Sequence, residues 1–130
     1  MRTIDTHKTN AANEALTITV TDEPGAGGAN CRYEVTGYSS RSNPSANAEV
    51  DLINSTPVLF QNGPIADGIN GITQEVLLAI VIDRLASFQF GPYACQENHE
   101  ALCHCYAALF ALKARTKKRL ARGVEGTHVV

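Results

Sequence analysis

Thr73-Gln74-Glu75-Val76-Leu77-Leu78-Ala79-Ile80-Val81-Ile82-Asp83-Arg84-Leu85-Ala86-Ser87-Phe88 is the stretch that decides how this chain is organised. Val76, Leu77, Ile80, Val81 and Leu85 recur at spacings of three and four, which lays them along one face of a helix. Thr73 is a good N-cap and Glu75 suits the positive end of the helix dipole, so the helix is predicted to start there. Gly91-Pro92 breaks it just beyond Phe88, since proline has no N–H with which to continue the ladder. A second helix is predicted from about residues 95–97 to Ala121, with Leu102, Cys105, Leu109 and Leu112 as its apolar stripe. Ala101, Ala107, Ala108, Ala111 and Ala114 favour helix and let a neighbour pack closely. Such a helix is about 37 Å long, longer than its partner, so its far end either projects or meets another subunit. Gly123 is enough by itself to end it.

Upstream of the hairpin the period changes from helical to alternating. Leu16-Thr17-Ile18-Thr19-Val20 and Cys31-Arg32-Tyr33-Glu34-Val35-Thr36 read as strands joined by the turn-rich loop 23–30, an antiparallel hairpin. The glycines of that loop do not make a phosphate loop, because no Lys-Ser/Thr follows and no helix opens after them. Residues 39–47 read as polar and turn-rich, and residues 50–53 and 57–61 as further strands. The expected fold is therefore α+β: an N-terminal antiparallel β-sheet followed by a C-terminal two-helix antiparallel hairpin. We read residues 1–130 as one domain, with a loose arm at 1–13, a β-rich part at 14–65, the helical hairpin at 70–122 and a tail at 123–130.

Composition narrows the function classes. No apolar run approaches the length that spans a bilayer, so no membrane partner is expected. Met1-Arg2-Thr3-Ile4-Asp5 lacks the apolar segment of a signal peptide, so export is not expected. Cys31, Cys95, Cys103 and Cys105 are then read as reduced thiols in a cytoplasm. Charge is uneven. Before Lys113 there are five Lys or Arg against twelve Asp or Glu; from Lys113 onward there are six against one. Lys113, Arg115, Lys117, Lys118, Arg119 and Arg122 make either a solvated helix end matched to the helix dipole or an anion site.

Three chemistries follow from the residue types. Cys95, His99 and Cys103 are spaced by four on one helical face, as soft-metal ligands would be, but buried thiols in a helix interface explain them more simply; no metal and no cofactor is expected. No spacing suggests a Ser-His-Asp or paired-carboxylate site, so the protein is not expected to be an enzyme. Nucleotide binding suits Phe88, whose ring serves either core packing or base stacking. It suits Asn98, which both donates and accepts, and Arg115, which can fork onto phosphate. Asn98 and Arg115 lie on one predicted helix at a separation of roughly 25 Å. A small nucleotide that touches both must therefore take them from different subunits, with two equal sites in a two-fold dimer. A competing reading is a nucleic-acid-binding protein that uses the basic helix end at 113–122.

Phe60-Gln61-Asn62-Gly63-Pro64, Ile69-Asn70-Gly71-Ile72-Thr73, Leu77-Leu78-Ala79-Ile80-Val81, Phe88-Gln89-Phe90-Gly91-Pro92, Cys95-Gln96-Glu97-Asn98 and Arg122-Gly123-Val124-Glu125-Gly126-Thr127 occur in this order. The series resembles the first Thoeris anti-defence family of phages, over about residues 55–128, with a fainter echo at Asn30-Cys31-Arg32-Tyr33-Glu34-Val35. Members of that family are signal sponges. They sequester glyco-cyclic ADP-ribose, made by bacterial TIR-domain proteins, and leave it chemically intact. Their hairpin is similar to that of phage sponges acting against CBASS defence, and some members hold cyclic trinucleotides at a separate site in a hexamer built as three dimers.

The resemblance implies roles residue by residue. Phe88 would stack on the ligand, Asn98 would read a polar edge, Arg115 would meet phosphate and Arg32 would add a second cation. Arg122, Gly126 and Thr127 resemble the part that contacts cyclic trinucleotides. Gln96 stands where an Arg commonly occurs in this motif, which removes one cationic contact and narrows the expected ligand range. The implied protein is a homodimer or a hexamer in the cytoplasm of an infected bacterium. It is expected to bind glyco-cyclic ADP-ribose and cyclic trinucleotides, with no stable nucleic-acid polymer as partner.

Overall fold

The computed structural model describes residues 1–46 and 52–130. They form two units, Met1–Gly63 and Pro64–Val130. The first unit holds an antiparallel sheet in the order β1-β2-β3-β4, with strands Arg2–Ile4, Thr17–Val20, Arg32–Thr36 and Ser55–Leu59. The second holds two α-helices, so the arrangement is α+β as the sequence predicts.

Register in the sheet follows the alternation. Thr17 faces Thr36, Ile18 faces Val35 and Val20 faces Tyr33, while Tyr33 faces Val58 on the next strand. Side chains alternate faces along each strand, so Val20, Tyr33 and Val58 share one face and Thr19, Glu34 and Pro57 the other. Pro57 sits on an edge strand, where its missing N–H costs no ladder bond. Val20 is fully buried, and Tyr33 meets Phe60 edge to face with ring centroids 5.7 Å apart. The loop between β2 and β3 is closed by Asp22, whose carboxylate accepts from Cys31 N at 3.0 Å. That backbone hydrogen bond is the main cause holding the Asp22 carboxyl below its ordinary range.

Two expectations change. Residues 1–13 are not a loose arm. Arg2–Ile4 is β1, paired with β2 through Arg2↔Val20, Thr3↔Thr19 and Ile4↔Ile18. A short helix α1, Ala11–Ala15, follows, capped by the side chain of Asn10. Three residues are too few to show a period, and their hydrogen-bond partners lie in a distant part of the chain. The strand expected at 57–61 runs instead over Ser55–Leu59. The strand expected at 50–53 falls partly on residues outside those described, and Leu52 and Ile53 carry no strand.

In the second unit α2 spans Gln74–Gln89 and α3 spans Gln96–Ala121. Thr73 Oγ1 accepts from Val76 N at 3.3 Å, the cap that the sequence predicts. Gln89 bridges the connection: its amide donates to Cys95 O at 3.2 Å and accepts from Cys95 N at 3.1 Å. Along α3 the less exposed positions are Asn98, Leu102, Cys105, Leu109, Leu112, Ala114, Thr116 and Arg119. Ala114 aside, their spacing of alternately four and three is the seam of a helix packed on one neighbour. The apolar face of α2 is less hidden than its period suggests. Ile82 is buried, but Val76, Ile80 and Val81 are exposed. The helix is apolar on more than one side, and a single neighbour covers only one stripe.

Candidate functional site

Two clusters of the predicted residues form at opposite ends of α3. At the first, Phe88 lies in the last turn of α2 and Asn98 in the first turn of α3, flanking the connection 90–95. Phe88 is 36% exposed, so its ring is a surface feature rather than core. One face of that ring is occupied by Arg84, one helical turn earlier, whose guanidinium carbon is 5.2 Å from the centroid. Asn98 Nδ2 donates to Tyr93 O at 3.2 Å, which fixes the carboxamide against the turn. Phe90 and Tyr93 extend this end as exposed aromatic rings.

The second cluster is basic. Arg115 shares a groove of about 360 Å³ with Lys118, Arg122, Ala111, Ala114 and Val130, while Arg119 lies against it. The positions 111, 114, 115, 118 and 122 fall on one face of α3, and the two alanines leave room between the cations. A groove of this volume lies at the small end of ligand sites. Arg122 Nη1 donates to Val130 O at 3.0 Å, which folds the tail over one side. The sequence reading assigned Arg115 and Arg122 to different ligands; the fold puts both in one groove.

Beyond α3 the chain turns sharply. Gly123, at φ +73°, lets Gly123 N donate to Leu120 O and Val124 N to Arg119 O, each at 3.0 Å, so these two carbonyls near the helix end are satisfied. Gly126 is at φ +77°, and a Cβ there would lie 2.2 Å from Ile65 Cγ1. Its carbonyl accepts from Ile65 N at 3.1 Å. Thr127 Oγ1 donates to Val124 O at 2.5 Å and accepts from Val129 N at 3.2 Å. Gly126 and Thr127 thus hold the turn together, whatever else they meet.

Arg32 is an exposed residue of β3 in the first unit. Cys103 Sγ lies 3.7 Å from His99 Nε2, and Cys95 Sγ accepts from Asn98 N as the cap of α3. Among the described residues no three His, Cys, Asp or Glu side chains are grouped so as to hold a metal. Cys31 is a buried thiol of the first unit, pushed up by burial and by the charge of Asp22. Among the described residues no helix is long and apolar enough to cross a membrane.

Sequence reasoning missed Arg84, and named Arg119 only as one of the six cations of the basic helix end, not as the one that turns inward. Arg84 stands four residues before Phe88, a spacing that brings side chains together on a helix. Arg119 continues the seam of α3 by one more step of three. A cation on a buried stripe must find acceptors, and that was the available signal.

Residues 41–117 match the model of the Acb2/Tad1 hairpin domain. Over 72 residues the chain is 47% identical to a protein named Thoeris anti-defense 1 from Bacillus phage SBSphiJ7, a match covering 55% of this chain and 51% of that protein. The chain thus spans about half the length of the curated relative it matches. Phe88, Asn98 and Arg115 lie within the residues matched by the hairpin model; Arg122, Gly126 and Thr127 lie beyond them.

Proposed function

The chain belongs to the Acb2/Tad1 hairpin family, and from that premise we propose that it is a phage anti-Thoeris protein that binds and sequesters glyco-cyclic ADP-ribose without cleaving it. The observation that carries the reading is the pairing of chemistries along the helical hairpin. A ring and a carboxamide stand at one end, and a row of guanidinium and ammonium groups at the other. Base, ribose and pyrophosphate call for that set. About 25 Å of helix separates Asn98 from Arg115, so the pocket takes Phe88 and Asn98 from one protomer and Arg115 from its partner. Arg32 is the remaining candidate for a cationic contact.

The exposed apolar surface supports a second copy. Ile80 is 55% exposed, Tyr106 53% and Phe110 74%, all on the helices that carry the ligand residues. Tyr106 and Phe110 stand one turn apart on α3, exposed apolar side chains so placed mark an interaction surface, and a two-fold pair of hairpins covers them while completing two equal pockets. The homodimer is the working unit, and three dimers make a hexamer. A second site at Arg122, Gly126 and Thr127 takes cyclic trinucleotides, which extends the activity to CBASS signals. The protein works in the cytoplasm of the infected host by affinity and abundance, as a non-enzyme. Silencing a scarce signal calls for nanomolar binding, about −12 kcal/mol.

The test is to incubate the protein with glyco-cyclic ADP-ribose, measure free ligand after filtration, then heat-denature the protein and measure again. Depletion followed by return of the intact molecule supports the sponge. An altered product makes the protein an enzyme instead. The row Arg115, Lys118 and Arg122 also favours a second reading, nucleic-acid binding at the basic helix end. That reading requires affinity that grows with polynucleotide length and falls steeply with salt.

A further inference from the structure

Arg119 is the cation of the basic helix end that does not face solvent. Its side chain is about one-tenth exposed, against 30% for Glu125, with which it is paired. Four of its five N–H donors are committed to one short segment. Nε donates to Glu125 Oε2 at 3.3 Å, Nη1 to Val129 O at 2.6 Å, and Nη2 to Val124 O at 2.9 Å and Thr127 O at 3.2 Å. Three of those acceptors are main-chain carbonyls, of which Val124 O also accepts from Thr127 N and Thr127 Oγ1. The planar guanidinium matches their fan of directions; an ammonium at the same place is a compact point charge. On the other side, Ile65 N donates to Gly126 O, and the Ile65 side chain fills the space that a Cβ at Gly126 would take. The turn at 124–129 is therefore fixed between a buried fork and an isoleucine, and it carries Gly126 and Thr127.

We propose that Arg119 is the positioning residue of the C-terminal candidate site: its guanidinium shapes the turn 124–129 that presents Gly126 and Thr127 beside Arg122, and it does not touch the ligand. This rests on the second-site reading given above. With Glu125 against it, Arg119 also adds little net charge to the groove, which leaves ligand attraction to Arg115, Lys118 and Arg122.

The test compares wild type, Arg119→Lys and Glu125→Gln, with cyclic triadenylate and glyco-cyclic ADP-ribose titrated separately by calorimetry. Amide exchange over 124–129 and over the two helices is followed in parallel. Arg119→Lys keeps the charge and loses the fork. It is expected to weaken cyclic triadenylate by about tenfold or more, since several charge-assisted hydrogen bonds are lost. Glyco-cyclic ADP-ribose affinity and helix protection stay at wild-type levels, while the amides of 124–129 exchange faster. Glu125→Gln keeps an acceptor and leaves cyclic triadenylate affinity within about threefold. Wild-type affinity in Arg119→Lys overturns the proposal, as does an equal loss of both ligands, which would make Arg119 a general structural residue. If wild type itself ignores cyclic triadenylate, the second-site reading falls. Exchange at 124–129 then decides by itself whether Arg119 shapes the turn.

Discussion

The two ends of α3 solve the same problem, unpaired backbone at a helix terminus, with opposite materials. At the start, neutral groups do it: Cys95 Sγ caps Asn98 N, and the Gln89 amide bridges to Cys95 in both directions. At the finish, Gly123 closes the helix and a buried guanidinium gathers the carbonyls of the tail. The difference teaches where each end can meet a ligand. Neutral fastening leaves flat surfaces at the first end, the Phe88 ring above all. Internal use of Arg119 at the second end frees its neighbours Arg115, Lys118 and Arg122 to line the groove. One end offers stacking and hydrogen bonds, the other charge.

The sharpest way to break that comparison is to disable one end in each of two chains. Phe88→Ala and Arg115→Ala should each lower glyco-cyclic ADP-ribose affinity by roughly five- to a hundredfold, with helix content unchanged, on the scale of about 1–3 kcal/mol for a lost stacking or charged contact. Mixed and re-equilibrated, the two variants should regain high-affinity sites, because one pocket of each heterodimer then holds both native residues. Titration of the mixture reads this directly. Absence of recovery would put both residues in a pocket of one chain and end the division of labour between the ends.

Gly126→Ala tests the finish of the helix. Its φ of +77° and the 2.2 Å approach to Ile65 Cγ1 make any side chain strained, at about 1–2 kcal/mol for the left-handed backbone alone. Faster amide exchange in the tail, with α2 and the start of α3 still protected, is the expected outcome. Arg84→Ala tests the other end more gently. Loss of an exposed cation–π contact is worth about 0.5–1 kcal/mol, so a two- to fivefold change in ligand affinity is expected by calorimetry. An increase would mean that Arg84 shields the ring from the base; a decrease, that it holds the ring in place.

The smallest effect lies in the first unit and serves as a control on the comparison. The Asp22 carboxyl is held below its ordinary value chiefly by the Cys31 N–H. A depressed carboxylate pKa contributes stability that is present above the unfolded value, 3.8, and is lost as pH falls through the folded value. Unfolding followed in acid should therefore show a steeper loss below that pH for wild type than for Asp22→Asn. Neither end of α3 should change with this substitution.

The hairpin was legible because its signals are local. Thr73, Glu75 and Gly123 are read within one turn of the backbone groups that they serve, and Leu102, Cys105, Leu109 and Leu112 mark the seam by spacing alone. Phe88, Asn98 and Arg115 could be nominated by chemistry, and their separation followed from helix rise. The exposure of Val76 and Ile80 was not legible, since period tells which residues share a face and not how many neighbours cover it. The first strand was not legible either, because Arg2-Thr3-Ile4 gains its structure only from β2.

The sequence by itself determined the two helices, their ends, the α+β order and the concentration of positive charge after Lys113, because caps, period and composition act over a few residues. The tertiary structure alone decided which cation turns inward and which ones line a common groove. Lys118, Arg119 and Arg122 look alike in sequence. They differ only in what the returning tail and the packed seam bring within hydrogen-bonding reach, and that depends on contacts no local pattern records.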